Sequence, residues 1–125
     1  MKINRLLTNI CSDNLELSKS FYTSLFDFRV DFTSDWFVHL ISKERELEIG
    51  IIANGHELVP EQARNNITGV YLTFVIEDVD IFFDKARKLA CEILQAPEAT
   101  FYGQKRMLLV APEGTVCDVS SPLNA

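Results

Sequence analysis

Residues 69–80, GVYLTFVIEDVD, decide how this chain is read. Val70, Leu72, Phe74 and Ile76 share one face of the opening run, and Tyr71, Thr73 and Val75 share the other. That is the period-two signature of a strand. Asp78 then caps a helical pattern whose apolar stripe is Val79, Phe82, Phe83, Ala86 and Leu89 or Ala90. Residues 5–16, RLLTNICSDNLE, make the same transition near the start of the chain. There the strand gives way to Ser12, Asp13 and Asn14, which offer N-cap chemistry to a helix over LELSKSFYTSLF. Leu17, Phe21 and Leu25 recur every four residues along it, with Ser18 and Tyr22 alongside. Leu7 stands as far before Asn14 as Tyr71 stands before Asp78, so one plan begins twice.

Working outward, FRVDF, WFVHLI and ELEIGII read as three further strands of the first copy. CEILQ, KRMLLVA and TVCDVSS read as those of the second, with PEATFYGQ as a loop and PEG as a turn. The fold class is α+β, built from two tandem βαβββ modules. The first spans about 3–52 and the second about 69–122. The stretch 53–68, ANGHELVPEQARNNIT, has Gly, Pro and three Asn with little periodicity and reads as a linker. FVHLISKERELEIGII can be laid over RMLLVAPEGTVCDVSS without a gap, which pairs Ile49 with Asp118. The offset between copies grows from 64 at Leu7 to 69 at Phe37, which puts five extra residues around PEATFYGQ. Each module is expected to expose a sheet face that the other helps to cover.

The chain has 125 residues, 47% of them hydrophobic and 24% charged, a balance that suits one globular domain with its own core. Its net charge of −6 offers no basic stripe for a nucleic-acid backbone or an anionic membrane. No run approaches 18 apolar residues, and MKINRLLTNICSDN lacks the apolar stretch of a signal peptide. Cys11, Cys91 and Cys117 are odd in number and show no CxxC spacing, so they read as reduced, small buried hydrophobes in a cytoplasmic protein. GxSxG, GxxxxGK[ST], HExxH and GxGxxG are all missing.

The doubled βαβββ order, the FY in the first helix, the GQKR segment and APEGTVCDV near the end together resemble the vicinal oxygen chelate superfamily. That group includes glyoxalase I, extradiol dioxygenases, fosfomycin resistance enzymes and bleomycin resistance proteins. The resemblance covers nearly the whole chain and is most specific over FYGQKRMLLVAPEGTVCDVSS. It implies a curled mixed sheet forming a half-barrel cleft, with the helices on its outer face, and a homodimer. It also implies a divalent-metal site built from His, Gln or Glu on the first and last strands of each module. Those places fall here at Leu7, Tyr71, Asp118 and either Glu48 or Ile49. The clean alternation of Leu47, Ile49 and Ile51 favours Glu48 as the residue facing the cleft.

A leucine offers no lone pair, and a neutral tyrosine hydroxyl is a poor ligand. At most two carboxylates remain, so no metal and no other cofactor is expected. The candidate ligand-binding residues are Leu7, Asn9, Trp36, Phe37, His39, Glu48, Tyr71, Phe101, Tyr102, Gln104, Arg106 and Asp118. Phe21, Phe74, Phe82 and Phe83 are assigned to the core instead, and His56 to solvent. The favoured function is metal-independent binding of a small aromatic or cationic compound, of the bleomycin-resistance kind, by stacking and charge attraction. The alternative is a metal-dependent lyase, isomerase or dioxygenase with a nonstandard site, or metal-free chemistry with Glu48 or Asp118 as the base.

Overall fold

The computed structural model describes residues 1–44, 46–65 and 68–123. It divides into two compact units, Met1–Asn66 and Ile67–Ala125. In the first unit the order is β1 (Thr8–Ser12), α1 (Leu15–Phe26), β2 (Arg29–Thr33), β3 (Phe37–Ile41) and β4 (Glu48–Ala53). In the second it is β5 (Leu72–Val75), α2 (Val79–Lys88), β6 (Glu92–Ala99), β7 (Gln104–Val110) and β8 (Val116–Pro122). Each unit is therefore a βαβββ module, and the α+β class holds.

Both sheets have four strands and the same mixed topology, β1-β4-β3-β2 and β5-β8-β7-β6. The opening and closing strands pair in parallel, Thr8 opposite Ile49 and Leu72 opposite Cys117, while the other pairings are antiparallel. One face of each sheet is packed by the helix. In the first unit Phe21, Tyr22 and Leu25 of α1 are buried with Ile10, Val38, Leu40, Ile49 and Ile51. In the second, Val79, Phe82 and Ala86 of α2 are buried with Met107, Leu109, Cys117 and Val119. Each Val, Leu, Ile, Phe or Met among them contributes about 1.5–3 kcal/mol by leaving water.

The helix starts follow their caps. Asn14 accepts a hydrogen bond from the Leu17 amide at 3.0 Å, and Asp78 accepts from the Asp80 and Ile81 amides. Strand ends reinforce both. Ser12 Oγ lies 2.8 Å from the buried Ser18 Oγ, and Ser121 Oγ accepts from the Val79 amide at 3.1 Å. The stripe is corrected at its first position: Leu17 is exposed, and Ser18, bonded to Ser12, is buried in its place.

The extra residues of the second module do not all lie in a loop. PEATFYGQ ends β6 with Pro97, Glu98 and Ala99, turns the hairpin through residues 100–103 and enters β7 at Gln104. Pro97 is tolerated in the strand because β6 is an edge strand and its ladder is irregular between Gln95 and Glu98. A missing amide donor is harmless there. Of the stretch read as a linker, residues 66 and 67 lie outside the described residues, and the part from 53 to 65 is structured against the first unit. Val59 is buried, and Asn54 donates to Asp13 at 3.1 Å and to Asn65 Oδ1 while accepting from the Asn65 amide.

Helix α2 ends in a left-handed turn at Ala90, φ 56°, with the Ala90 amide donating to Arg87 O and the Cys91 amide to Ala86 O. This is the pair of bonds that glycine normally supports at a helix end. Ala90→Gly relieves the strain of a β-carbon in that conformation. It is expected to stabilise the protein by roughly 0.5–1 kcal/mol, read as a higher urea midpoint with an unchanged slope.

Candidate functional site

The face of each sheet that the helix does not cover carries the polar chemistry. In the first unit the register puts Asn9, Gly50 and His39 on one rung and Glu48 opposite Ile41 two rungs along. Ile49 is buried on the helix side, so Glu48 is the residue on the open face. The gapless overlay of the two copies needs correction, because the turn before β4 is one residue longer than the turn before β8. Ile41 pairs with Glu48 and Val110 with Val116, so Gly50, not Ile49 or Glu48, stands where Asp118 stands.

Glu48 is the hub of a network that the sequence only partly announced. Arg5, in the segment before β1, donates to it through Nε at 2.8 Å and Nη2 at 2.5 Å. His39 Nε2 lies 2.7 Å from Glu48 Oε1, and His39 Nδ1 lies 2.9 Å from Asp31 Oδ2. Both ring nitrogens thus face carboxylate oxygens, an arrangement that favours the doubly protonated ring, while Arg5 Nη2 lies 3.4 Å from Nε2. The hydrogen bonds to Glu48 and then Asp31 accordingly raise its pKa. The hydrogen bonds from Arg5 and then His39 hold the Glu48 carboxyl down at about 2. A carboxylate so held is a weak base, which counts against Glu48 as a proton acceptor. Arg5 and Asp31 are the residues sequence reasoning missed. Asp31 sits at a bulge between Val30 and Phe32, where strand alternation fails to predict direction.

Gly50 leaves room for its neighbours. A β-carbon there would overlap Asn9 Oδ1 and come within 3.0 Å of the Phe37 ring. Trp36 lies 5.7 Å from Phe37 and stacks on His56 at 3.9 Å between ring centroids. His56 is thus not simply solvated. It is half-buried, and its Nδ1 accepts from the Leu58 amide at 3.1 Å.

In the second unit Asp118 lies opposite Thr73 and Leu108, and is 6% exposed. Thr73 Oγ1 donates to its Oδ2 at 3.2 Å. Arg106 Nε stands 3.2 Å from the same oxygen but is not aligned for a hydrogen bond. Asp118 Oδ1 has no hydrogen-bond partner, nor has Gln104 Oε1 further along β7. Phe101 is fully exposed at the β6–β7 hairpin, edge-on to the exposed Tyr102 at 5.3 Å. Tyr71 is exposed ahead of β5, and Leu7 is half-buried ahead of β1. Of the cysteines only Cys117 is fully buried, while Cys11 and Cys91 are intermediate and burial raises both thiol pKa values.

The expected metal positions can be tested on these donors. Leu7 has none, and Glu48 and Asp118 already face arginines. Both nitrogens of His39 are turned to carboxylates, which leaves no lone pair for a metal. Among the described residues no group of three or more His, Cys, Asp or Glu is placed to hold a metal ion. Within each unit, then, the carboxylates at the expected positions are engaged by arginine side chains.

The family model for the glyoxalase/bleomycin resistance protein/dioxygenase superfamily matches residues 2–117, and the chain belongs to that superfamily. Solved structures share the fold. One is a glyoxalase/bleomycin resistance protein/dioxygenase family enzyme from Burkholderia phytofirmans PsJN, 23% identical, with a TM-score of 0.78 over 94% of this chain and 97% of that one. Another is the genomically encoded fosfomycin resistance protein of Listeria monocytogenes, 14% identical, with a TM-score of 0.76 over 97% and 94%. A third is a lactoylglutathione lyase from Agrobacterium tumefaciens, 16% identical, with a TM-score of 0.70 over 94% and 92%. No curated protein matches the chain at a significant level. Among the described residues no helix is long and apolar enough to cross a membrane.

Two outcomes test this geometry. The depressed Glu48 pKa stabilises the fold above the ordinary value of 4.5, a contribution lost as pH falls through about 2. The raised His39 pKa stabilises it below 6.5, a contribution lost as pH rises through the folded-state value. The network therefore contributes most between pH 4.5 and 6.5, and Glu48→Gln should flatten both limbs of the urea midpoint plotted against pH. Separately, Gly50→Ala should destabilise by roughly 1–3 kcal/mol through overpacking against Phe37 and Asn9, measured by urea unfolding.

Proposed function

We propose that this chain is a metal-independent small-molecule-binding protein of its superfamily, one that sequesters an aromatic or cationic compound. The observation that carries the reading is the pairing of open-face carboxylates with arginines. Glu48 is taken by Arg5 and Asp118 stands against Arg106, so neither is offered to a metal. Exposed rings supply stacking surface instead: Tyr71, Phe101 and Tyr102 in one unit, with the partly covered Trp36 in the other. A fully exposed phenylalanine gains nothing for folding and reads as contact surface for a ligand. Overall acidity favours approach of cations and disfavours nucleic acid and anionic membrane as partners. The proposal includes a cytoplasmic homodimer with no cofactor.

A resistance protein among the structural neighbours supports a role in handling a toxic or antibiotic compound. The lactoylglutathione lyase keeps a metal-dependent lyase, isomerase or dioxygenase as the alternative. Metal analysis of protein purified without chelator separates the two readings. The binding reading expects far less than one equivalent, and near-stoichiometric Ni, Zn, Fe or Mn that disappears in Glu48→Gln or Asp118→Asn would sink it. Trp36 emission should respond to a panel of flat aromatic and cationic compounds that includes bleomycin. Replacing Phe101 and Tyr102 together with serine should weaken the best binder by roughly tenfold with an unchanged urea midpoint, because neither ring is buried. Sedimentation that shows only monomer would remove the homodimer.

A further inference from the structure

The second unit holds an incomplete hydrogen-bonding set. Asp118 is more than nine-tenths buried, yet its Oδ1 has no partner. Arg106 Nε is buried beside it, close enough to Oδ2 for charge attraction but not aligned to donate. Buried polar atoms are almost always paired, so two adjacent failures mark a place where something else completes the bonds. The approach lies on the Thr73 and Arg106 side. Thr73 is exposed, and the Arg106 side chain keeps 28% of its surface. Tyr71 comes two residues before Thr73 in the chain and is itself exposed.

We propose that Asp118 and Arg106 anchor a neutral ligand group that presents a donor and an acceptor side by side, such as the edge of a carboxamide or lactam, on an aromatic frame. This rests on the small-molecule reading above and narrows its ligand. Charge decides the class. Asp118 and Arg106 already cancel, so a cation that gains from the carboxylate is opposed by the guanidinium, and an anion meets the reverse. A neutral N–H can donate to Oδ1 while its neighbouring carbonyl accepts from Nε, which satisfies both atoms at once. Leaving out either half returns a buried atom to its unpaired state, so discrimination against analogues lacking the donor is expected to be steep.

Four benzoyl-type probes test this: benzamide, N,N-dimethylbenzamide, the benzamidinium cation and benzoate. Each is titrated into the full-length protein while the Arg106 Nε–H resonance and the backbone amides are followed by NMR. Benzamide should move the Arg106 Nε–H signal and bind at least roughly fivefold more tightly than the other three. Asp118→Asn and Arg106→Gln should each remove that preference, with the remaining amide spectrum serving as the control for folding. Equal binding of the dimethyl analogue, or tightest binding by benzamidinium, overturns the anchor. If benzamide shifts other residues but leaves Arg106 still, the anchor falls and small-molecule binding stands. If none of the four binds, the anchor falls, while the metal analysis and drug panel still decide the broader reading.

Discussion

Each module closes on itself by laying its last strand parallel to its first, and that pairing constrains nearly everything else. Parallel neighbours cannot be joined by a tight turn, so the chain must travel through a helix and a hairpin before it returns. The helix settles on one face, where Ile10, Val38, Leu40, Ile49 and Ile51, or Met107, Leu109, Cys117 and Val119, lose their contact with water. Strand alternation then sends every second residue to the other face. Charged groups of the closing strand can only be tolerated there. Parallel pairing also brings the opening strand or its approach alongside, so Arg5 reaches Glu48 and Thr73 reaches Asp118.

The parts of this plan that follow from periodicity were legible in the sequence. The α1 span, the cap at Asp78 and the doubled βαβββ order all rest on local patterns that the tertiary structure reinforces. What was hidden depends on one-residue differences or on position in the sheet. Gly50 takes the place of Asp118 because of a single extra residue in a turn, which no alternation pattern reveals. Pro97 sits in a strand because that strand is an edge, a fact of sheet order and not of composition. Arg5 precedes every regular element, so nothing local ties it to a residue 43 positions away. His56 looked like loop polarity until Trp36 provided a ring to stack on.

The duplicated modules have also diverged rung by rung. On the rung where the second has Thr73, Asp118 and Leu108, the first has Asn9, Gly50 and His39. The first fills the gap above its glycine with the Asn9 amide and the Phe37 ring. It moves its carboxylate along β4 to Glu48, where Arg5 and His39 can both reach it. Val116 and Leu108 occupy the matching places in the second module, which therefore has no counterpart of His39. One copy ends with a network in which Glu48 is engaged by both Arg5 and His39. The other retains unpaired atoms.

That asymmetry separates two roles for charge. Removing one partner of a buried pair is costly because the remaining ion is left without solvent or counterion. In the first unit the mostly covered Glu48 is held by His39 and by Arg5, which itself stays exposed to solvent. The chain's −6 charge acts over a longer range, since Glu48 and Asp118 are each offset nearby. Such a field attracts and orients a solute from solution but weakens steeply with salt. Hydrogen bonds to buried atoms act only at contact and are little screened. For a neutral ligand of this chain, salt should therefore leave the rate of arrival little changed, while residence is governed by how completely the unpaired atoms of Asp118 and Arg106 are satisfied.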